Sequence, residues 1–404
     1  RTRDPIVPGA PCYDAGLPAT PMPPATKPPS PSADVRHDVL VRGGGAVGLA
    51  TALALARQGL RVALLAAAAT PTAEDVRAYA LNAASVALLQ QLKVWDALPA
   101  DARTAVLDMQ VQGDDGAAAL HFSAWVQGVA ELAWIVDAAE LERALAAAVG
   151  FAPHVERVAG AVPAALTVLA EGKDSATRAA LGVHWTRHAY GQRGIAARLV
   201  ASRPHGQLAR QWFRSPDVLA LLPLDRPQPG HGLGLVWSVP DERADELMAL
   251  PDAAFEAELM AASGGAAGTL GLASARQQWP LALAEASAVH GPGWVLVGDA
   301  AHVVHPLAGQ GLNLGLADVA ALARVLADRA AHEAWRPLGD EKLLARYARE
   351  RRGPTQAMAR VTDTLLHLFA HPNPLLRQLR NRGLDAVDRL GPLKKRLTAQ
   401  ALGL

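Results

Sequence analysis

A single cysteine, Cys12, occurs in 404 residues. That excludes an internal disulfide framework and fits a reducing compartment. No apolar run reaches the roughly 18 residues that a spanning helix requires, so no such helix is expected. Neither sign of charge is in excess: 39 Lys and Arg face 38 Asp and Glu, a net of +1. A near-neutral chain offers no general electrostatic footprint for nucleic acid. No internal repeat is visible. What is abundant is apolar side chain, 50% of the residues and mostly alanine, enough for two or three domains with packed, helix-rich cores.

Residues 1–34 stand apart. Proline is dense there, the apolar residues follow no period, and Cys12 lies among them. Such a segment cannot bury enough surface to offset its ordering entropy. It also lacks the charged start and apolar centre of a secretory signal. It is expected to be a disordered tail or an over-extended reading of the start site, outside the folded domains.

The first ordered pattern is a strand, Asp38-Val39-Leu40-Val41-Arg42, followed at once by Gly43-Gly44-Gly45-Ala46-Val47-Gly48. An Ala/Leu-rich helix runs from Leu49 to Gln58, Gly59 closes it, and Leu60 to Leu65 is a second strand. Strand, Gly-x-Gly-x-x-Gly, helix and strand together are the dinucleotide-binding context: a tight turn, close approach of a pyrophosphate, and tight helix–strand packing. An acid that would hold the adenosine ribose is missing at the end of the second strand, where Ala66 stands. Glu74 and Asp75 come later, in the loop. Asp75-Val76-Arg77 then leads towards a helix over Asn82 to Leu92. Arg77 is placed to reach a phosphate or a ring edge, although a lone Arg is more often a solvated surface charge.

Alternation from Val106 to Trp134 predicts strands, with Gly113-Asp114-Asp115-Gly116 as a hairpin turn. Asp137 to Val149 reads as a helix and Leu166 to Leu169 as a strand opening onto Glu171 to Arg178. Residues 183–240 alternate as strands and turns, and Asp241 to Ala262 reads as one helix. Late in the chain, Val295 to Val297 is a short buried strand ending in Gly298-Asp299. A loop with Pro306, Gly309 and Gly311 follows, and then a helix from about Leu312 to Ala330. Open α/β sheets bind ligands at strand C-termini, so Asp299 can accept hydrogen bonds from a sugar alcohol. The helix start at Gly311 to Asn313 offers unpaired N–H groups and a positive dipole end, and the glycines allow a flat ligand close to the main chain. This suits a flavin, whose reduced ring carries negative charge on its pyrimidine edge. His302 and His305 have no third ligand nearby and are expected to structure the loop rather than bind zinc.

Three segments in order, Gly43 to Gly48, Glu171 to Arg178 and Gly298 to Asn313, now stand with Asp75-Val76-Arg77, Tyr190-Gly191-Gln192 and Leu221-Leu222-Pro223-Leu224. Together they resemble the ubiquinone-biosynthesis hydroxylases, FAD-dependent aromatic-ring monooxygenases with the para-hydroxybenzoate hydroxylase fold. The resemblance runs from about residue 37 to the C-terminus. It implies an α/β chain: a Rossmann-like FAD-binding domain (35–75, 132–182 and 286–330), an inserted mixed β-sheet substrate domain (76–131 and 183–285), and C-terminal helices (331–404). Gly43, Gly45 and Gly48 would then carry the FAD pyrophosphate. Arg77 would lie near the flavin, and Gly298 and Asp299 at its ribitol chain. Gly309 would allow close approach, and Gly311, Leu312 and Asn313 would turn main-chain N–H groups to the ring. Glu171 and Arg178 would link FAD and nicotinamide binding. Pro306 would shape the loop towards the substrate. Tyr190 and Gln192 fall on the sheet that roofs the substrate, where ordinary strand packing and a substrate role are equally open.

The resemblance further implies that NADPH or NADH reduces FAD, that O2 adds to give a flavin hydroperoxide, and that its distal oxygen passes to an electron-rich ring. The ring would belong to a polyprenylated phenol or quinone precursor. Ala66, Glu171 in place of Asp, and a short interval before Glu171 depart from the family pattern. A lost ribose contact costs about 1.5–3 kcal/mol, one to two decades in affinity. Two other readings share these motifs: a weakly FAD-binding scaffold in a quinone-biosynthesis complex, and a flavin reductase acting on prenyl chains. The expected location is cytoplasmic, peripheral at the inner membrane. Leu375, Leu376, Leu379, Leu384, Val387, Leu390, Leu393 and Leu397, interspersed with basic residues, would meet the lipid surface. Simple packing of these helices on the FAD-binding domain is the competing reading.

Overall fold

A computed structural model describes residues 36–66, 75–113, 119–304 and 310–370. The Pro-rich tail, the residues at 114–118, the loop holding Pro306 and Gly309, and the basic C-terminal segment lie outside the described residues.

The chain builds β1 (His37–Arg42), α1 (Ala46–Ala56), β2 (Val62–Leu65), β3 (Ala78–Leu81), α2 (Ala83–Gln91), β4 (Arg103–Val106), β5 (Asp108–Gln112) and β6 (Ala119–Ser123). Then follow α3 (Ala124–Gln127), β7 (Ala133–Asp137), α4 (Ala138–Gly150), β8 (Val155–Arg157), β9 (Ala164–Leu169) and α5 (Ala176–Ala180). Next are β10 (Trp185–Ala201), β11 (Leu208–Arg214), β12 (Asp217–Pro223), β13 (Gly232–Pro240), α6 (Asp241–Ala249), α7 (Asp252–Ser263) and β14 (Leu270–Leu272). The chain continues through β15 (Gln277–Ala286), β16 (His290–Gly291), β17 (Trp294–Leu296), β18 (His302–Val303), α8 (Gln310–His332) and α9 (Glu341–Ala370).

The first sheet has the order β16-β17-β9-β1-β2-β8. β1 pairs in parallel with β2 on one side and with β9 on the other. The chain therefore winds outward in opposite directions from β1, and the crevice between β1 and β9 is a topological switch point, where open parallel sheets take ligands. Val39, Val41, Val62, Leu64, Leu166 and Val168 are fully buried against α1 and α8. α1 is apolar on every face, and so it is buried nearly all round, as such a helix must be.

The second sheet runs β18-β15-β10-β13-β12-β11-β5-β6. Period-two alternation gives it two different faces. Ile195, Ala197, Leu199 and Ala201 pack on Ala244, Leu247, Phe255 and Leu259 of α6 and α7. Arg193, on that same face, pairs with Asp241 and Asp245. Gln192, Gly194, Ala196 and Arg198 therefore face the other way. There Ala209, Leu222 and Leu224 meet Ala78 and Ala80 of β3, which belongs to a small sheet ordered β3-β7-β4. Arg198 ties the joint by donating to the Arg77 carbonyl at 2.7 Å and to Asp137 at 3.0 Å.

The helix expected over Asp241 to Ala262 is two helices. Leu250 is extended and Pro251 caps α7, because a residue before proline is driven out of the helical region. β5 and β6 do pair antiparallel, with Gln112 opposite Ala119. α8 is slightly longer than the periodicity indicated. None of the described helices is long and apolar enough to cross a membrane.

Candidate active site

At the end of β1 the three glycines of the fingerprint do different work. Gly43 has φ +127, and a Cβ there would lie 2.1 Å from the Ala170 carbonyl. A Cβ on Gly48 would lie 2.1 Å from the Gly43 carbonyl. These two positions hold the turn against β9 and against itself. Gly45 is the open one: a Cβ there would meet nothing within 4 Å. Gly45 is also the N-cap of α1 and supplies no side-chain cap, so the first N–H groups of α1 are uncapped beside open space. That is the donor set a pyrophosphate takes.

On the other side of the switch point, Glu171 follows β9. Its carboxylate accepts from Arg42 Nε at 2.7 Å, Ser175 Oγ at 2.6 Å, and Thr177 Oγ1 and N at 2.8 and 3.3 Å. Burial pushes its pKa up, but the bonds from Ser175, Arg42 and Thr177 outweigh that and hold it below the ordinary value. Arg178 is 4% exposed and stacks over Trp185, with its guanidinium carbon 3.6 Å from the ring centroid. It donates to the carbonyls of Ala300 at 2.9 Å and Lys173 at 2.7 Å. The middle motif thus reaches the Asp299 turn through Arg178, and both side chains are committed to holding the protein's own frame.

Asp299 lies in a 3-10 turn, Gly298–Ala300. Gly298 has φ +60, and a Cβ there would lie 3.1 Å from Val47 of α1. The Asp299 side chain is reachable by solvent, yet surrounding protein raises its pKa by desolvation, against the pull of His302, Lys173 and Arg77. The carboxylate is thus both solvent-reachable and partly desolvated, just beyond the C-terminal end of β17. Arg77 is near enough to act on it electrostatically and is not a solvated lone charge. Asp75 grips it at 2.9 and 2.7 Å, Glu142 lies at 3.5 Å, and its guanidinium sits 5.7 Å from the centre of the Tyr79 ring. Burial raises the Tyr79 and Glu142 pKa values despite Arg77.

Gly311 and Leu312 are half-buried in the first turn of α8, and a Cβ on Gly311 would meet nothing within 4 Å. The Asn313 side chain is turned inward. It accepts from Asn82 N at 3.0 Å and Ser85 Oγ at 2.7 Å, and donates to the Ala80 carbonyl at 2.7 Å. It pins the start of α8 to β3 and α2, so any ligand contact from this residue falls to its main chain. Tyr190 occupies a bulge where β10 shifts register against β15, with Gly191 at φ +65. It stands edge-on to His188, ring centres 5.8 Å apart. Gln192 is 7% exposed; its Nε2 donates to the Pro216 carbonyl at 3.2 Å, and its Oε1 has no partner among the described residues.

The profile of a family described as an FAD binding domain matches residues 36–159 and 154–362. The chain is 32% identical to ubiquinone hydroxylase UbiL of Rhodospirillum rubrum, over 96% of this chain and 94% of that protein. It is 32% identical to 3-demethoxyubiquinol 3-hydroxylase of Escherichia coli, over 91% and 98%. The chain belongs to the ubiquinone-biosynthesis FAD-dependent hydroxylase family. As a member it is an enzyme, an FAD-dependent monooxygenase. Its fold matches that of Pseudomonas aeruginosa PqsL in complex with 2-aminobenzoylacetate at a TM-score of 0.71, with 23% identity over 87% of this chain and 99% of that one. p-Nitrophenol 4-monooxygenase PnpA of Pseudomonas putida also matches, at a TM-score of 0.71 and 20% identity over 91% and 98%.

The hydroxylase has a supporting network that motif reading missed. Asp318 of α8, 1% exposed, accepts from Gly298 N at 2.9 Å, His302 Nε2 at 2.7 Å and Arg351 Nε at 2.6 Å. Tyr347, one helical turn before Arg351 on α9, donates to the Leu296 carbonyl at 2.9 Å. Desolvation works to raise Asp318, but His302 and Arg351 hold it below its ordinary value. Burial works to lower His302, but Asp318 holds it above its own. The available signal was Asp318 itself, a lone acid on the apolar stripe of α8. Arg42, a charged residue ending a buried strand, was the other.

Proposed function

We propose that this monooxygenase hydroxylates the ring of a polyprenylated phenol or quinone precursor, with NADPH or NADH and O2 as co-substrates. The observation that carries this reading is the sheet face opposite α6 and α7. It carries Gly194, Ala196, Val236 and Ala220 beside the buried Ser238 and Arg198, and it holds Gln192 Oε1, a buried acceptor without a partner among the described residues. A largely apolar floor with an oriented acceptor suits a flat phenol with a greasy substituent. The names of the relatives point to the same chemistry.

The residues fit FAD. Gly43, Gly45, Gly48 and the α1 N-terminus would hold the pyrophosphate, Gly298 and Asp299 the ribitol, and Gly311, Leu312 and Asn313 the pyrimidine edge through main-chain N–H groups. FAD supplies the redox chemistry, taking electrons from the nicotinamide and activating oxygen. The protein's part is to position the ring and exclude water. Gln192 Oε1 would accept the phenol O–H, and Tyr190 in its bulge would border the ring. Glu171 and Arg178 would act indirectly, by fixing the Asp299 turn. In this reading the β1, β9 and β17 sheet is the FAD-binding domain and the β10 sheet the substrate domain. The enzyme works in the cytoplasm, peripheral at the inner membrane. The Leu- and Arg-rich C-terminal segment supports that location, and co-sedimentation with anionic liposomes tests it.

The deciding experiment is NAD(P)H oxidation by the FAD-loaded protein, with short-chain prenylphenols and with p-hydroxybenzoate, and identification of the product. Prenylphenols should stimulate oxidation and gain one oxygen. Gln192→Leu should raise KM for them about tenfold or more, because it removes one buried hydrogen bond. Oxidation indifferent to every phenol would sink the reading.

A further inference from the structure

We propose that Arg42 is a phosphate anchor for the FAD pyrophosphate, aimed by Glu171. The proposal rests on the family's FAD and not on the proposed substrate. Arg42 is the last residue of β1. It stands beside Leu65 of β2 and Leu169 of β9, at the switch point, one residue before the glycine turn. Its side chain is 25% exposed. Only Nε is engaged, by Glu171 at 2.7 Å; the two terminal nitrogens have no partner among the described residues. Glu171 is itself fixed by Ser175 and Thr177, so the guanidinium is held by its inner edge and its outer fork is left for another partner beside the glycine turn.

A planar fork held this way is the usual means of gripping a phosphate oxygen pair, and it costs little side-chain entropy on binding. Nothing acidic stands in the first turn of α1, and Ala66 leaves no carboxylate at the end of β2, so neither repels or competes for an anion. The binding that Ala66 cannot supply at the ribose would be supplied at the phosphates. The alternative is that Arg42 merely balances the charge of Glu171.

The test uses the full-length protein freed of flavin and titrated with FAD, ADP and riboflavin. Arg42→Gln should weaken FAD and ADP about ten- to hundredfold and leave riboflavin, which has no phosphate, within about twofold. The double variant R42Q/E171Q should stay as weak as Arg42→Gln. Parental FAD and ADP affinity in the double variant would overturn the proposal, since Arg42 would then only balance Glu171. An equal loss of riboflavin binding would overturn it as well. A measurement without substitution guards against misfolding: arginine modification by phenylglyoxal, mapped by peptide mass. ADP should protect Arg42 and riboflavin should not; equal modification with and without ADP contradicts the proposal.

Discussion

Replacing Asp318 with Ala isolates the contribution of the α8–α9 network. The substitution strands three buried donors at once: Gly298 N, His302 Nε2 and Arg351 Nε. Breaking a buried ion pair by removing one partner costs about 3–5 kcal/mol, because the other charge stays buried without its counterion. Part of this is relieved if His302 gives up its proton, so the loss falls in that range and not above it. Against a usual stability of about 5–15 kcal/mol, a fifth or more of the total is at stake. Urea unfolding of the flavin-free protein, followed by tryptophan emission, measures it, and FAD titration shows how much of the Asp299 turn is lost with it. Asp318→Asn keeps one acceptor oxygen and should cost less. Asp318→Ala within about 0.5 kcal/mol of the parent, with unchanged FAD affinity, would refute the claim that this buried acid braces the turn.

Other outcomes follow from the same site. The folded pKa of Asp318 is lowered and that of His302 raised, so their pair stabilises fully between about pH 4 and 6.5. It weakens as pH rises through the His302 value or falls through that of Asp318. The stability gap between the parent and His302→Gln should therefore shrink from about pH 6 to pH 9; a constant gap contradicts this. Asp299→Ala should abolish stoichiometric FAD in a protein that still unfolds cooperatively, and full flavin occupancy after desalting would remove Asp299 from the site. Ala66→Glu should tighten FAD about tenfold by supplying a ribose acceptor; unchanged affinity would show that the ribose is held elsewhere.

The sheet at the heart of the fold was legible because its strands are short apolar runs, with glycine directly after β1 and close behind β9 and β17, and because open α/β sheets gather their ligands at strand C-termini such as the one before Asp299. Arg77 was legible by position but not by character. Its grip on Asp75, two residues away, could be guessed from spacing, whereas Glu142 arrives from α4. The break at Pro251 was misread because helical periodicity continues across it, although a proline inside an apolar-periodic stretch is the stronger signal. Asn313 was read for its backbone, and its side-chain clamp on Ala80 and Ser85 depends on contacts more than 200 residues apart. No periodicity reports such contacts.

Glu171 shows how a departure from a motif is explained only in three dimensions. Along the chain it is an Asp position filled by Glu, a change that reads as a weakened site. In the fold the carboxylate lies after β9, and Arg42, which it holds, lies on β1. Glu is longer than Asp by one methylene, about 1.5 Å, and that length lets one carboxylate reach across the strand boundary to Arg42 while still taking the Ser175 and Thr177 hydroxyls. An Asp at 171 could keep the near donors or reach the far one. Glu171→Asp should therefore release Arg42 while leaving α5 capped. If the Arg42 fork is what the pyrophosphate meets, that one-methylene change weakens FAD and ADP together and leaves riboflavin alone, whereas a purely structural pair would move all three ligands or none.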